Sequence, residues 1–142
     1  MSATEFIYAA GFGCRAGVAV ESLQILLDSA LRRHGLPADV LRGIASIAAK
    51  RDEAALQALA QQLRLPLQFF SAEELGVFSD RISAPSTAAQ TAVGAPSVAE
   101  ASALALAERL GGTRAELAIG KCSNAEATVA VARALPSPRN TP

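Results

Sequence analysis

Tryptophan is absent from this sequence, and the other aromatics amount to five phenylalanines and one tyrosine. A core built on bulky rings is thereby excluded. The apolar half of the chain is mostly alanine, leucine and valine, sizes that suit helices laid closely on a sheet. An excess of one charge sign is also missing, because 13 basic residues balance 13 acidic ones. Bulk electrostatics therefore require no nucleic-acid partner and no membrane surface, and any anion site must be built locally. No apolar run is long enough to span a bilayer, and Glu5 interrupts the N-terminal apolar stretch before it reads as a secretion signal. A single histidine, His34, and two distant cysteines, Cys14 and Cys122, offer neither a CxxC nor a zinc-type spacing. This excludes a dedicated metal site, gives no sign of a cofactor, and makes a reducing cytoplasm the expected compartment.

What is present reads as alternating strands and helices. The length of 142 residues favours one domain, expected over residues 1–135, with 136–142 as a disordered tail that holds no core-forming residues. Residues 5–10 read as a first strand and 20–34 as a helix. Leu23, Leu26, Leu27, Ala30 and Leu31 form the apolar stripe of that helix, and Gly35 and Pro37 stop it. Residues 44–48 give a second strand. Asp52 is placed to cap a helix carrying Leu56, Leu59, Ala60 and Leu63 on one side. Residues 67–70 give a third strand, and Ser71 with Glu74 matches a capping box. The segment 78–96 dissolves into Ser, Ala, Thr, Pro and Gly, as expected of a loop able to act as a lid. Ser97 and Glu100 form a second capping box before an Ala-rich helix, and 116–119 and 128–132 read as an antiparallel hairpin. The expected fold is α/β, a three-layer α/β/α domain with a mixed, mostly parallel sheet of about five strands.

Ligands of such sheets bind beyond the carboxyl ends of the strands. The loop Gly11-Phe12-Gly13-Cys14-Arg15-Ala16-Gly17 is expected there, between a strand and a helix. Its spacing is one residue too long for the dinucleotide fingerprint, and no Walker lysine follows. Two readings stay open for it: a tight strand-to-helix turn, or a cradle of backbone N–H groups for an anion. Arg15 has the fork geometry to grip a carboxylate. Cys14 is a nucleophile candidate by its place before a helix, but His34 lies at the far end of that helix, which favours a packed thiol. Lys50 and Glu53 stand at the second strand-to-helix junction, and Lys121 with Asn124 in the expected hairpin loop.

Taken in order, GFGCRAG, AAKRDEAAL, LQFFSAEEL, VGAPSVAEASAL and GKCSNAEATVAVA resemble the CobE and CbiG C-terminal family of cobalamin biosynthesis over nearly all of residues 7–132. The resemblance implies that Gly11, Gly13, Cys14, Arg15, Gly17, Lys50, Ser97 and Lys121 hold a corrin or precorrin intermediate, whose flat ring carries a rim of carboxylates. It implies binding or carrying first. A second implication is hydrolysis of a precorrin lactone, as CbiG performs with release of acetaldehyde, for which Cys14, Glu53 and Glu100 are the candidate groups. CbiG has further N-terminal sequence, which weighs toward binding here. The remaining alternative is an interaction module for other enzymes of the pathway, docking through the Ala-rich helix if one of its faces is exposed.

Overall fold

The computed structural model describes residues 6–78 and 98–136. In chain order its main elements are β1 (Ile7–Cys14), α1 (Val20–Arg33), β2 (Leu41–Ile47), α2 (Ala54–Leu63), β3 (Leu67–Phe70), α3 (Ala72–Gly76), α4 (Val98–Gly111), β4 (Glu116–Ser123) and β5 (Ala127–Ala134). The five strands form one sheet in the order β3-β2-β1-β5-β4. Two ladders, β1–β2 and β2–β3, are parallel, and two, β1–β5 and β4–β5, are antiparallel. This is the mixed α/β sheet expected, with parallel pairing confined to its first half.

Strand alternation sets the layers. Ala10, Phe12 and Ile44 point to one face, where they meet Leu23, Leu27, Leu56 and Leu59 of α1 and α2. Ala9 and Ala45 point to the other, where α4 brings Ala103, Leu104, Leu106 and Ala107, and α3 brings Leu75. The small residues matter most under α4. A Cβ built on Gly11 falls 2.5 Å from both Ala103 N and Ser102 Oγ, and closer still to the Ala99 carbonyl. Helix backbone thus rests directly on strand backbone, the close approach anticipated from the alanine content. Each residue of α4 from Ala99 to Ala107 is buried, so an exposed docking face on this helix is ruled out over those two turns.

Several boundaries differ from expectation. Residue 5 lies outside the described residues, and β1 continues to Cys14 because β5 pairs with it from Ile7↔Ala134 to Cys14↔Ala127. The expected glycine loop shrinks to residues 15–19. Asp52 does not cap α2: the N-cap is Glu53, with no side-chain cap bond. The capping box at Ser71 is present in both directions, with Glu74 N–H donating to Ser71 Oγ at 3.0 Å and Ser71 N–H to Glu74 Oε1 at 2.7 Å. β4 runs on to Ser123, which puts Lys121 in a strand and leaves only a short turn before β5. Ser97, most of the segment 78–96 and the tail from 137 lie outside the described residues. Among those described, no helix is long and apolar enough to cross a membrane.

Candidate functional site

The carboxyl ends of β1, β2 and β3 share one edge because these strands are parallel. The antiparallel hairpin adds the end of β4 and the start of β5 to the same edge, since Cys14 faces Ala127. The N-terminus of α4 joins them: Val98 Cβ lies 3.7 Å from the position of a Cβ on Gly13. The turn after β1, the turn at residues 48–53, the first turn of α4 and the β4–β5 turn therefore meet.

The turn after β1 is closed by its own protein. Arg15 N–H donates to Glu126 O at 3.0 Å, Val18 N–H to Arg15 O at 3.3 Å, and Gly17 N–H to Glu53 Oε2 at 3.1 Å. Gly17 needs to be glycine, because its φ of +79° lies in the left-handed region. Of the two readings of this loop, the tight turn is the one built. The amide of Gly17 already has an anion, Glu53, so charge for any ligand must come from side chains. Gly11 sits inside the sheet, paired with Ala45 and Ala130 and covered by α4, away from the open edge.

Arg15 is exposed, and Lys50 and Lys121 are half-buried. None of the three makes an ion pair with another described residue. Their parent strands, β1, β2 and β4, are separated by three interstrand steps in all, about 14 Å at the usual spacing. A cleft of about 310 Å³ opens here, lined by Gly13, Cys14, Arg15 and the turn from Ser123 to Thr128. Asn124 shapes that turn. Its Oδ1 accepts from Glu126 N–H and Ala127 N–H, both at 2.8 Å, and Ser22 of α1 donates to Glu126 Oε1 at 2.8 Å.

Lys121 lies in a bulge of β4. Ile119 pairs with Val131 but Cys122 with Val129, so β4 carries one residue more than β5 over that stretch. Such an insertion leaves an amide out of the ladder and redirects a side chain. Here Lys121 N–H donates to Glu100 Oε2 at 2.8 Å, and Glu100 is fully buried. Sequence spacing assigned Glu100 to a helix cap, and the family resemblance made it a catalytic candidate. It also ties α4 to the edge strand, a contact that no local pattern announces.

Cys14 is free, and burial pushes its thiol above the ordinary value; Lys50 draws it partly back, and Glu53 adds to the rise. At neutral pH the group is therefore a thiol, not a thiolate. Iodoacetamide labelling followed by mass spectrometry checks this: Cys14 is expected to react more slowly at pH 7 in the folded protein than in urea, and to catch up only as pH rises above 9. His34 caps α1 at the end away from this edge, its Nδ1 3.0 Å from Ala30 O. Glu53 and Glu100 each hold a backbone N–H. Among the described residues no group of His, Cys, Asp and Glu is arranged to hold a metal ion.

Known proteins resemble this chain throughout. It matches the family described as Cobalamin synthesis G C-terminus over residues 8–132. Protein CobE from a Sinorhizobium species is 34% identical over 122 residues, 86% of this chain and 77% of that protein. The crystal structure of CobE, a protein from the cobalamin (vitamin B12) biosynthetic pathway, shares 44% identity with a TM-score of 0.85, covering 92% of this chain and 95% of that one. Cobalamin biosynthesis protein ChiG from Agrobacterium tumefaciens shares 30% identity with a TM-score of 0.68, covering 92% and 99%. A sheet edge of this construction, with Gly13, Cys14 and Arg15 on it, is thus found in a chain that belongs to the CobE and CbiG C-terminal family of cobalamin biosynthesis proteins.

Proposed function

We propose that this protein binds a corrin intermediate of cobalamin biosynthesis in the cytoplasm, with Arg15, Lys50 and Lys121 receiving carboxylates of the ligand's rim. One observation carries the reading. Three cations without ion-pair partners among the described residues surround one sheet edge, while the neighbouring carboxylates Glu53 and Glu100 are occupied by backbone N–H groups. The edge thus gathers three cations in a chain whose net charge is zero, and the carboxylate that lines the cleft beside Arg15, Glu126, accepts from Ser22. Charged rim and flat apolar ring are the two halves of a corrin acid, and the Ala- and Gly-rich edge suits the second half. Gly13, Gly17 and Cys14 contribute shape to the site; Ser97, also assigned to it from the sequence, lies outside the described residues.

Binding is preferred to hydrolysis on chemical grounds. A hydrolase needs a base or nucleophile poised by a partner, and the protonated Cys14 and the engaged Glu53 and Glu100 supply none. Docking onto other pathway enzymes is the weaker alternative, because the buried stretch of α4 removes the surface proposed for it.

Titration with hydrogenobyrinic acid, followed in the visible spectrum, tests the proposal. Wild-type protein is expected to perturb the corrin bands at micromolar concentration, and raised salt to weaken the effect. Arg15→Ala should weaken binding by about tenfold, equivalent to ~1.4 kcal/mol for a bidentate carboxylate contact. An unperturbed spectrum with the wild-type protein would overturn the proposal, and acetaldehyde release from a lactone-bearing precorrin would replace it with hydrolysis.

A further inference from the structure

Two glycines of β1 face the same side of the sheet, and the fold requires only one of them. Gly11 lies under α4, whose backbone fills the space a side chain would need. Gly13 does not. Among the described residues a Cβ there meets only Val98, at 3.7 and 3.9 Å, which is ordinary contact, and its φ is not in the positive region. Glycine inside a strand is unfavourable, since it loses more freedom on folding and packs no side chain. Neither backbone conformation nor helix packing offsets that loss at position 13. A strand glycine without either reason marks a place where something outside the sheet approaches the backbone.

The neighbours across the sheet indicate what approaches. Gly13 pairs with Thr128 of β5, and Thr128 pairs with Ser123 of β4. Residues so paired share a face, so a gap at Gly13 is followed by two hydroxyls in one row. The hydroxyls lie 3.0 Å apart, and either can be the donor. One hydrogen is used between them, which leaves the other free to donate outward. Gly13, Thr128, Ser123 and Arg15 all line the same cleft.

We infer that Gly13, Thr128 and Ser123 form a specificity row: the edge of the ligand lies against the β1 backbone at Gly13, and the hydroxyl pair donates to a carboxylate oxygen on its rim. This inference rests on the corrin-binding reading above and adds residues and a shape requirement to it. The ligand must be flat where it crosses β1, because a single methyl group at position 13 would lift it from the strand. It must also carry a hydrogen-bond acceptor within reach of Thr128, on the side from which Arg15 supplies charge.

Gly13→Ala tests the shape requirement and Thr128→Val the acceptor. The first adds a methyl group in uncrowded space, and the second removes a hydroxyl while keeping the side-chain shape. Both variants are expected to melt at or above the wild-type temperature. Gly13→Ala is expected to bind hydrogenobyrinic acid roughly tenfold more weakly, and Thr128→Val several-fold more weakly. Wild-type affinity in both variants, with affinity lost in Arg15→Ala, would overturn the row and leave corrin binding standing. Absence of corrin affinity in the wild-type protein would overturn both.

Discussion

Gly11→Ala is expected to cost the protein a large share of its stability. The added Cβ would sit 2.5 Å from Ala103 N and Ser102 Oγ and deeper still against the Ala99 carbonyl. None of these atoms is the far end of a flexible side chain. Two are helix backbone, and Ser102 Oγ is held by its own bond to Val98 O at 2.7 Å. Relief therefore requires α4 to move off the sheet as a unit. That movement would loosen contacts with β1, β2 and β5 together, since α4 packs on all three. Overpacking in cores costs roughly 1–3 kcal/mol when side chains can adjust. With backbone on both sides the expected loss is at least about 3 kcal/mol, at the upper end of single substitutions. Set against a typical total of about 5–15 kcal/mol, this lowers the unfolding midpoint markedly. Urea unfolding monitored by circular dichroism checks it, with Gly13→Ala as the internal control. If Gly11→Ala unfolds at the wild-type midpoint, the direct seating of α4 on β1 is wrong.

The contrast between these two glycines shows where the sequence was legible. Local signals transferred well. The apolar stripe of α1, the Ser71–Glu74 capping box and the β4–β5 hairpin depend on residues near one another in the chain, and each is present. The end of β1 was not legible. Glycines at 11 and 13 read as punctuation after a strand, yet they remain in it because β5, more than a hundred residues later, pairs with them up to Cys14. One of those glycines admits a helix and the other leaves a gap, and a single sequence gives both the same letter.

The candidate site follows the same division. The carboxyl-edge rule brought Arg15 and Lys50 to one edge from sequence alone. Lys121 was expected in a loop, because the bulge that places it within β4 depends on register with β5. Glu53 was assigned a functional or helix-start role, and its hydrogen bond to Gly17, 36 residues earlier, follows from the parallel pairing of β1 and β2. Ser46 is a further residue that local pattern passed over. Its buried hydroxyl donates to Phe12 O at 2.7 Å just past the last β1–β2 partners, Gly11 and Ala45. A serine within the otherwise apolar run 44–48 was the available signal.

Glu100→Ala is expected to produce the second-largest loss of stability, and to reach the site as well. Glu100 is fully buried and among the largest side chains that are. Its truncation removes an acceptor from Lys121 N–H, and leaves that amide of the bulge without the bond it makes at 2.8 Å. Hydrogen bonds to charged groups contribute about 1.5–3 kcal/mol, and a cavity of several missing heavy atoms adds roughly another 1–2 kcal/mol. The expected total is about 3 kcal/mol or more. Glu100→Gln keeps shape and an acceptor oxygen, so it should lose less than half as much. Urea unfolding separates the two, and hydrogen exchange locates the effect: the Lys121 amide should lose protection in Glu100→Ala while amides in the β1–β2 ladder keep most of theirs. Because Lys121 lies in that bulge, corrin affinity should fall in Glu100→Ala at temperatures where the protein is still folded. Equal stability in the two variants would mean that the carboxylate fills space without holding the bulge, and Lys121 would then owe its position to β4 alone.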